Sequence, residues 1–449
     1  MNLSKLIQIL SDYSCHTVYV KKLAANDNSK NQIYFGGSFD VLNILPSSKV
    51  SADNQGPRKR LSFKSKLDFY WIDEEGIAFE APKSQLICYP DYPEVRFSGF
   101  LSGCKKAPSD LMNSRHENRI LFLGVNDKRK IYGFVTTVES EVYNEFESKK
   151  RIETHGVFYV LSIINSRIEV NSKDRLLAEL KRIHHLGWIN SKRLKPNYEL
   201  VPCESSNCGG FTLEAELNIP SNSKAEPDFF GWEVKNFNVD SFEKIHSTTI
   251  TLMDHSPSGG YFNKEGVEAF INKYGYNDKK GRASRMNFGG THKYGIVHPL
   301  TSLKLVIDGF DEINKKIDNP NGYVALVDQN DELAASWSFT SLIEHWMAKH
   351  PKACYVPSKL NKLYLEKNKK RQYSYGNKII LGNYTDVSKL LYQLYLGKTY
   401  YDPGIKLELA IEGERNKSTK VRSLFRTKSM NIPELYEISE VVDLNNYYK

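Results

Sequence analysis

Hydrophobic and polar positions along this chain follow two different periods, and the change comes about a third of the way in. Up to residue 168, short runs of aromatic and β-branched residues recur: HTVYVKKL, NQIYFGG, LDFYWID, EVRFSGFL, RILFLGV and KIYGFVTTV. Asn, Asp, Gly and Pro separate them, the pattern of strands in a small barrel or sandwich. The opening stretch, MNLSKLIQILSDYSCHT, is apolar but broken by Ser, Gln and Asp. It predicts a short amphipathic helix and not a signal peptide. The polar stretch SSKVSADNQGPRKRLSFKSK predicts an exposed loop with a basic end, suited to phosphate if the partner is DNA. Beyond residue 168 a helical period takes over. Ser172 is the expected N-cap, Leu176, Leu177, Leu180 and Ile183 form one apolar face, and Gly187 marks the stop. The domain boundary is therefore placed within SRIEVNSKD, giving domains 1–168 and 172–449. The second domain alternates strands and helices, with GYVALVDQ as a buried strand and TSLIEHWMAKH as a helix. The basic, tyrosine-bearing segment KLNKLYLEKNKKRQYSYGNK is a candidate backbone-contacting surface.

Length and charge narrow the class. At 449 residues the chain exceeds one ordinary domain, and its formal net charge is +9 with a pI near 8.9. That excess suits a polyanionic partner, but a solvated lysine-rich face accounts for it equally well, so charge alone does not choose. Six cysteines are scattered along the chain, and only Cys203 and Cys208 lie close together. No second pair completes a zinc site, so the expectation is reduced thiols of a cytoplasmic protein. No run of about 18 apolar residues is present, so no membrane span is expected.

The segment AEPDFFGWEVKNF is the most informative. Asp228 follows Pro227 and leads a strand expected over Phe230 to Phe237. Alternation puts Glu233 and Lys235 on one face and Trp232 and Val234 on the other. The apolar pair anchors the strand while the acid and the amine share a wet cleft, with Asp228 beside Glu233. Phosphodiester hydrolysis asks for this set of groups. Two carboxylates hold a hard divalent cation, which polarises the phosphate and acidifies a bound water. A lysine beside it acts either as base or as electrostatic clamp. Such a triad arises by chance in roughly one chain in ten of this length, so by itself it does not decide. Pro90-Asp91 lacks the acid-x-Lys partner and is a decoy. Upstream, GGFTLEAELNIP predicts a short helix, entered at Thr212 and Leu213, bearing Glu214 and Glu216. These two differ by about 200° around a helix, so only one faces the cleft.

Taken in order, LKRIHHLGWINSKR, GGFTLEAELNIP and AEPDFFGWEVK resemble the MvaI/BcnI-type restriction endonucleases over roughly residues 172 to 449. The resemblance implies an α/β PD-(D/E)xK nuclease core with flanking helices and a glutamate on a preceding helix. It assigns Glu214 as the extra acid, Asp228 and Glu233 as ligands of Mg²⁺, and Lys235 as the catalytic lysine. Downstream, NDKKGRASRMNFGGTHKYGIVHPL fits that family's DNA-reading region. Arg282, Arg285, His292 and Lys293 are the candidates there, as base readers or phosphate contacts. His298 and His345 are expected to be structural.

The segment VKKLAANDNSKNQIYFGG, with PEVRFSGF, resembles the EcoRII-type amino-terminal effector domain over about residues 1 to 165. That implies a mostly-β pseudobarrel that binds specific DNA. Asn31 and Gln32 suit adenine, Lys30 and Arg96 guanine, and Asp27 cytosine, with Lys21 and Asn26 beside them. An ordinary hairpin with Asn26-Asp27-Asn28 as turn residues is the competing reading. Asn28 to Asn31 depart from the Thr-Gly-rich turn and His of that family, which leaves the target sequence open.

Together these readings imply a monomeric, Mg²⁺-dependent type II restriction endonuclease. It would cut double-stranded DNA at a short GC-rich, CC-N-GG-like site and hold a second DNA copy, as effector or anchor, in its first domain. The alternatives are a methylcytosine-directed nuclease with the same chemistry and a catalytically silent DNA-binding regulator.

Overall fold

Asn2 accepts the Lys5 amide at 2.8 Å and so caps a helix over Leu3–Asp12. Its Leu3, Leu6, Ile9 and Leu10 all fall on one face and bury together with Val18, Val20, Ile120 and Phe122. The amphipathic reading of the first residues is thus realised as core packing. The computed structural model describes residues 1–25, 32–47, 49–53, 61–90, 94–114, 117–126, 128–149, 152–163, 172–221, 227–279, 281–282, 284–408 and 418–447. The chain divides into two units, Met1–Glu169 and Val170–Lys449. Most of the junction segment expected from the sequence lies outside the described residues, and Ser172, expected as the N-cap, is the first residue of the helix itself. Among the described residues no helix is long and apolar enough to cross a membrane.

The first unit is built on two sheets. A seven-stranded sheet runs, in spatial order, through Glu153–His155, Phe158–Ser162, Cys15–Leu23, Arg119–Asn126, Lys130–Thr137, Asp68–Ile72 and Ala78–Glu80. A five-stranded sheet runs through Gln32–Gly36, Glu94–Ser98, Gln85–Tyr89, Ser62–Lys66 and Lys49–Asp53. Among the described residues no pairing closes either sheet into a barrel. The stretch read as an exposed loop is a hairpin at its two ends. Lys49–Asp53 pairs antiparallel with Ser62–Lys66 because Val50 and Phe63 are buried on it, while 54–60 lie outside the described residues.

In the second unit, α1 (Ser172–His185) buries Leu176, Leu177, Leu180 and Ile183, the face its period predicts, and Gly187 follows at φ 66°. A six-stranded sheet contains β1 (Ile189–Asn190), β2 (Glu233–Asn238), β3 (Lys352–Leu360), β4 (Gln372–Tyr375), β5 (Lys378–Asn383) and β6 (Ile438–Asp443). β2 and β3 are parallel, with Glu233 opposite Ala353 and Lys235 opposite Tyr355. The pairs of β3 with β4 and β5, and of β5 with β6, are antiparallel. Two helices serve this sheet near β2: α2 (Cys208–Glu216) and α3 (Phe339–Lys349), the latter ending just before β3. Trp232 and Val234 join the α1 leucines, Val356 and Leu381 in one apolar core.

Two expectations are corrected here. Cys203 and Cys208 are not reduced thiols: they form a disulfide, with Cα atoms 5.7 Å apart, at the entry to α2. The short loop between them turns the chain back on itself, which spacing alone did not reveal. The other four cysteines form no disulfide, and Cys15, Cys88 and Cys354 are buried. The second correction concerns β2, which begins at Glu233 and not at Phe230. Phe229 and Trp232 exchange two backbone hydrogen bonds of 2.9 Å across Phe230-Gly231. Both turn residues have positive φ, 46° and 83°, the geometry of a tight hairpin turn. Glycine fills the second position without strain, and Phe230 is held there beneath the Arg175 guanidinium, 3.9 Å from the ring centroid.

Candidate active site

The turn at Phe230-Gly231 folds Asp228 back over the start of β2. Its Oδ2 accepts the Val234 amide at 2.9 Å, so an acid outside the strand is tied to the strand. Glu233 is 2% exposed, buried rather than set in a wet cleft as alternation alone suggested. Its Oε1 accepts Lys235 Nζ at 2.5 Å. Its Oε2 is buried, and no hydrogen-bond donor among the described residues reaches it. A buried carboxylate oxygen left bare is costly, so the arrangement calls for a positive partner at that atom.

Helix α2 brings the third acid. Gly209 lies so close to β2 that a Cβ there would come 2.8 Å from Asn236 Oδ1. That amide is fixed, since Asn236 Nδ2 donates to the Val356 carbonyl at 3.1 Å and Ser358 Oγ donates to its Oδ1 at 3.2 Å. The helix therefore packs on the strand only because the residue is glycine, and it starts four residues earlier than the sequence suggested. The two glutamates of this helix have different partners. Glu216 is taken by Lys192 at 2.6 Å and Arg182 at 3.6 Å. Glu214 feels the charges of Asp228, Glu233 and Lys235.

Burial, first, and the negative charge of Asp228 and Glu233, second, push the Glu214 carboxyl up to about 7. The Asp228 carboxyl rises to about 6, again chiefly by burial and then by Glu233, against the Val234 amide and the two nearby lysines. Three acids crowd one buried place, and two of them hold their protons more tightly than usual. Among the described residues no group of three or more His, Cys, Asp or Glu side chains is placed to hold a metal ion. The bare Glu233 Oε2 and the raised acids nonetheless fit a hard cation that takes few protein oxygens and keeps water or phosphate as its other ligands.

One residue that sequence reasoning passed over lies at the site, beside a histidine, His345, that it expected to be structural. Lys349, the last residue of α3, places Nζ 3.6 Å from Glu233 Oε1. One turn earlier His345 stacks against His255, with ring centroids 4.5 Å apart, and burial pushes it down to about 4. His255 in turn bonds Ser341 Oγ at 2.6 Å. The fully buried His350 stacks on Trp346 and meets the Tyr436 hydroxyl at 3.3 Å. In the sequence Lys349 looks like any basic residue in the last turn of a helix, a position the helix dipole favours anyway.

The remaining candidates divide. Arg282 is exposed, and so is Lys293, whose ammonium lies 6.0 Å from the Tyr400 ring. Arg285 is half-buried and ion-paired with Glu408. His292 is corrected: it is fully buried, stacked between Phe288 and His298. Its ring nitrogens meet Gly290 O and Thr301 Oγ1, each at 2.9 Å. Burial pushes its pKa down to about 3, so it is a neutral packing residue with no nitrogen left for a base edge. In the first unit Lys21 is also buried, on a strand where it stands opposite Leu121. Gln32 is half-buried opposite Ser98. Arg96 stands opposite Tyr34 and pairs with Glu94 at 2.9 Å. Asn26, Asp27, Lys30 and Asn31 lie outside the described residues.

Compared with known families, residues 177–436 match the MvaI/BcnI restriction endonuclease family. Similar solved structures include a restriction endonuclease MvaI–cognate DNA substrate complex, at 19% identity and a TM-score of 0.45, covering 62% of this chain and 100% of that one. Restriction endonuclease MvaI in the absence of DNA is similar with the same identity and coverage and a TM-score of 0.33. No curated protein matches the chain.

Proposed function

The chain belongs to the MvaI/BcnI restriction endonuclease family, and on that footing we propose that it is a Mg²⁺-dependent endonuclease that hydrolyses both strands of DNA. The observation that carries the reading is the convergence of Glu214, Asp228, Glu233 and Lys235 at one buried place, with Glu233 Oε2 lacking a donor among the described residues. Asp228 and Glu233 would hold the metal, with Glu214 as the added acid. The chemistry a bound Mg²⁺ supplies is polarisation of the scissile phosphate and acidification of water.

The protein's own groups do the rest. Burial of Glu233 excludes bulk water and strengthens every charge interaction at the site. Lys235 Nζ, now on Glu233 Oε1, is the group placed to leave that oxygen and meet the charge that develops on the phosphoryl oxygens. Glu214, with its raised pKa, is suited to exchange a proton near neutrality. Exposed Arg282 and Lys293 are retained as DNA contacts of the second unit.

For the first unit the reading is a second DNA-binding domain of the EcoRII effector type. In its support, the two segments that carry the resemblance lie on neighbouring strands, Gln32–Gly36 beside Glu94–Ser98, with an exposed Tyr34 opposite Arg96. A short GC-rich target, a monomeric working unit and two bound DNA copies complete the proposal. The test is digestion of plasmid DNA, unmethylated and cytosine-methylated, with Mg²⁺ or with EDTA, followed by sequencing of the ends. Discrete fragments that require Mg²⁺ and vanish in the Asp228→Ala, Lys235→Ala double variant are expected. Cleavage by that variant, or none by the parent on either DNA, would overturn the reading.

A further inference from the structure

Two ammonium groups pair with one oxygen of Glu233, and among the described residues none reaches the other. Lys235 Nζ lies 2.5 Å and Lys349 Nζ 3.6 Å from the same Oε1, while Oε2 faces no donor among the described residues. The two lysines reach that atom from different elements. Lys235 projects from β2 beside Glu233, whereas Lys349 ends α3, three residues before Lys352 opens β3. Since β3 pairs in parallel with β2 and sets Ala353 opposite Glu233, the helix terminus arrives next to the acid. Both lysine side chains are largely covered, at 20% and 22% exposure, so this is not a loose surface pair.

The cleavage chemistry proposed above asks Lys235 to serve the phosphate. While it does so it cannot also neutralise Glu233 Oε1 at hydrogen-bond distance. With Lys235 gone, a carboxylate 2% exposed would carry a heavy desolvation cost unless another cation stood at that oxygen. Lys349 removes that conflict because it already stands at the same oxygen.

We propose that Lys349 is a positioning residue of the cleavage centre: it keeps Oε1 of Glu233 neutralised when Lys235 turns to the phosphate, and so leaves Oε2 directed at the metal. The inference rests on the nuclease reading of this site and adds a residue to it. The role proposed for Lys349 needs no contact with substrate or metal. The lysine acts through Glu233, and its own stem is held at the end of a helix whose dipole favours a cation.

The test compares the parent with Lys349→Met, which keeps the stem, and Lys349→Arg, which keeps the charge. Three quantities are read: the single-turnover cleavage rate with Mg²⁺, DNA affinity with Ca²⁺, and the calorimetric Ca²⁺ affinity of the DNA-free protein. Lys349→Met should cut about 10- to 100-fold more slowly, somewhat less than the loss typical of a group that contacts the reacting atoms. It should bind DNA as the parent does, and bind Ca²⁺ at least as tightly because a competing positive charge has gone. Lys349→Arg should recover most of the rate. A Lys349→Met protein that cuts at the parental rate overturns the proposal. So does one in which cleavage, DNA binding and Ca²⁺ binding fall together without rescue by Arg, which is the result of a purely structural lysine. A parent that cuts no DNA removes the nuclease reading itself, and the two failures are thus told apart.

Discussion

Replacing Asp228 by Asn should make the metal-free protein more stable at alkaline pH while abolishing cleavage. The Asp228 carboxyl is raised from an ordinary 3.8 to about 6, mainly by burial and then by Glu233. At about 1.36 kcal/mol per pH unit, that shift corresponds to roughly 3 kcal/mol of penalty for the ionised acid in the folded state. Part of the gain is given back, because the Val234 amide exchanges a charged acceptor for a neutral one, worth about 1 kcal/mol. The titration is also shared with Glu214 and Glu233. A net stabilisation of about 1–2 kcal/mol follows, or about 2–4 °C in Tm for a unit of this size. The sign depends on pH in a defined way. Because the folded pKa lies above the unfolded one, the aspartate's favourable contribution is complete below about 3.8 and is lost as pH rises through about 6. Asn has no such dependence, so the difference between the two proteins should be small near about pH 4.5 and full near about pH 8. The assay is thermal unfolding of both proteins in EDTA across that range, repeated with Mg²⁺. Added Mg²⁺ should stabilise the parent and do little for the variant, since only the parent offers both ligands. A variant less stable than the parent at pH 8 in EDTA, or a difference that does not change with pH, would refute the reasoning.

Two further perturbations test how the site is assembled. Gly209→Ala would drive a Cβ against the fixed Asn236 amide, so α2 must move off β2 and carry Glu214 with it. Stability should fall by about 1–3 kcal/mol and cleavage should fall further than stability explains, as chemical denaturation beside single-turnover rates would show. A protein with parental activity would show that Glu214 needs no such seat. Reducing the Cys203–Cys208 bond, or replacing both by Ser, opens a loop with a sequence separation of 5 and should cost about 2 kcal/mol. Denaturant midpoints with and without reductant measure this directly, and an unchanged midpoint would show that the bond contributes nothing.

Much of this protein was legible along the chain, because a local period reports which face of an element is apolar. The α1 leucines and the Trp232/Val234 pair were found that way, and so was the placing of Glu233 beside Lys235 on the other face of the same strand. Periodicity says nothing of what arrives from a distance. Glu214 and Glu216 sit in one short helix with equal claims, and only the approach of Lys192 and Arg182 to Glu216 separates them. His292 looked like a base reader until Phe288, His298 and Thr301 closed around it. Lys349 reaches Glu233 only because a parallel strand pairing sets the end of α3 beside the start of β2. The depth at which Glu233 is buried, and the bare oxygen that follows from it, likewise belong to the packing of strands and helices far apart in the chain. Residue type and local period determined which groups could do the chemistry. The long-range packing decided which of them share one desolvated volume, since the energy of a charge is set by its surroundings and not by its neighbours in sequence.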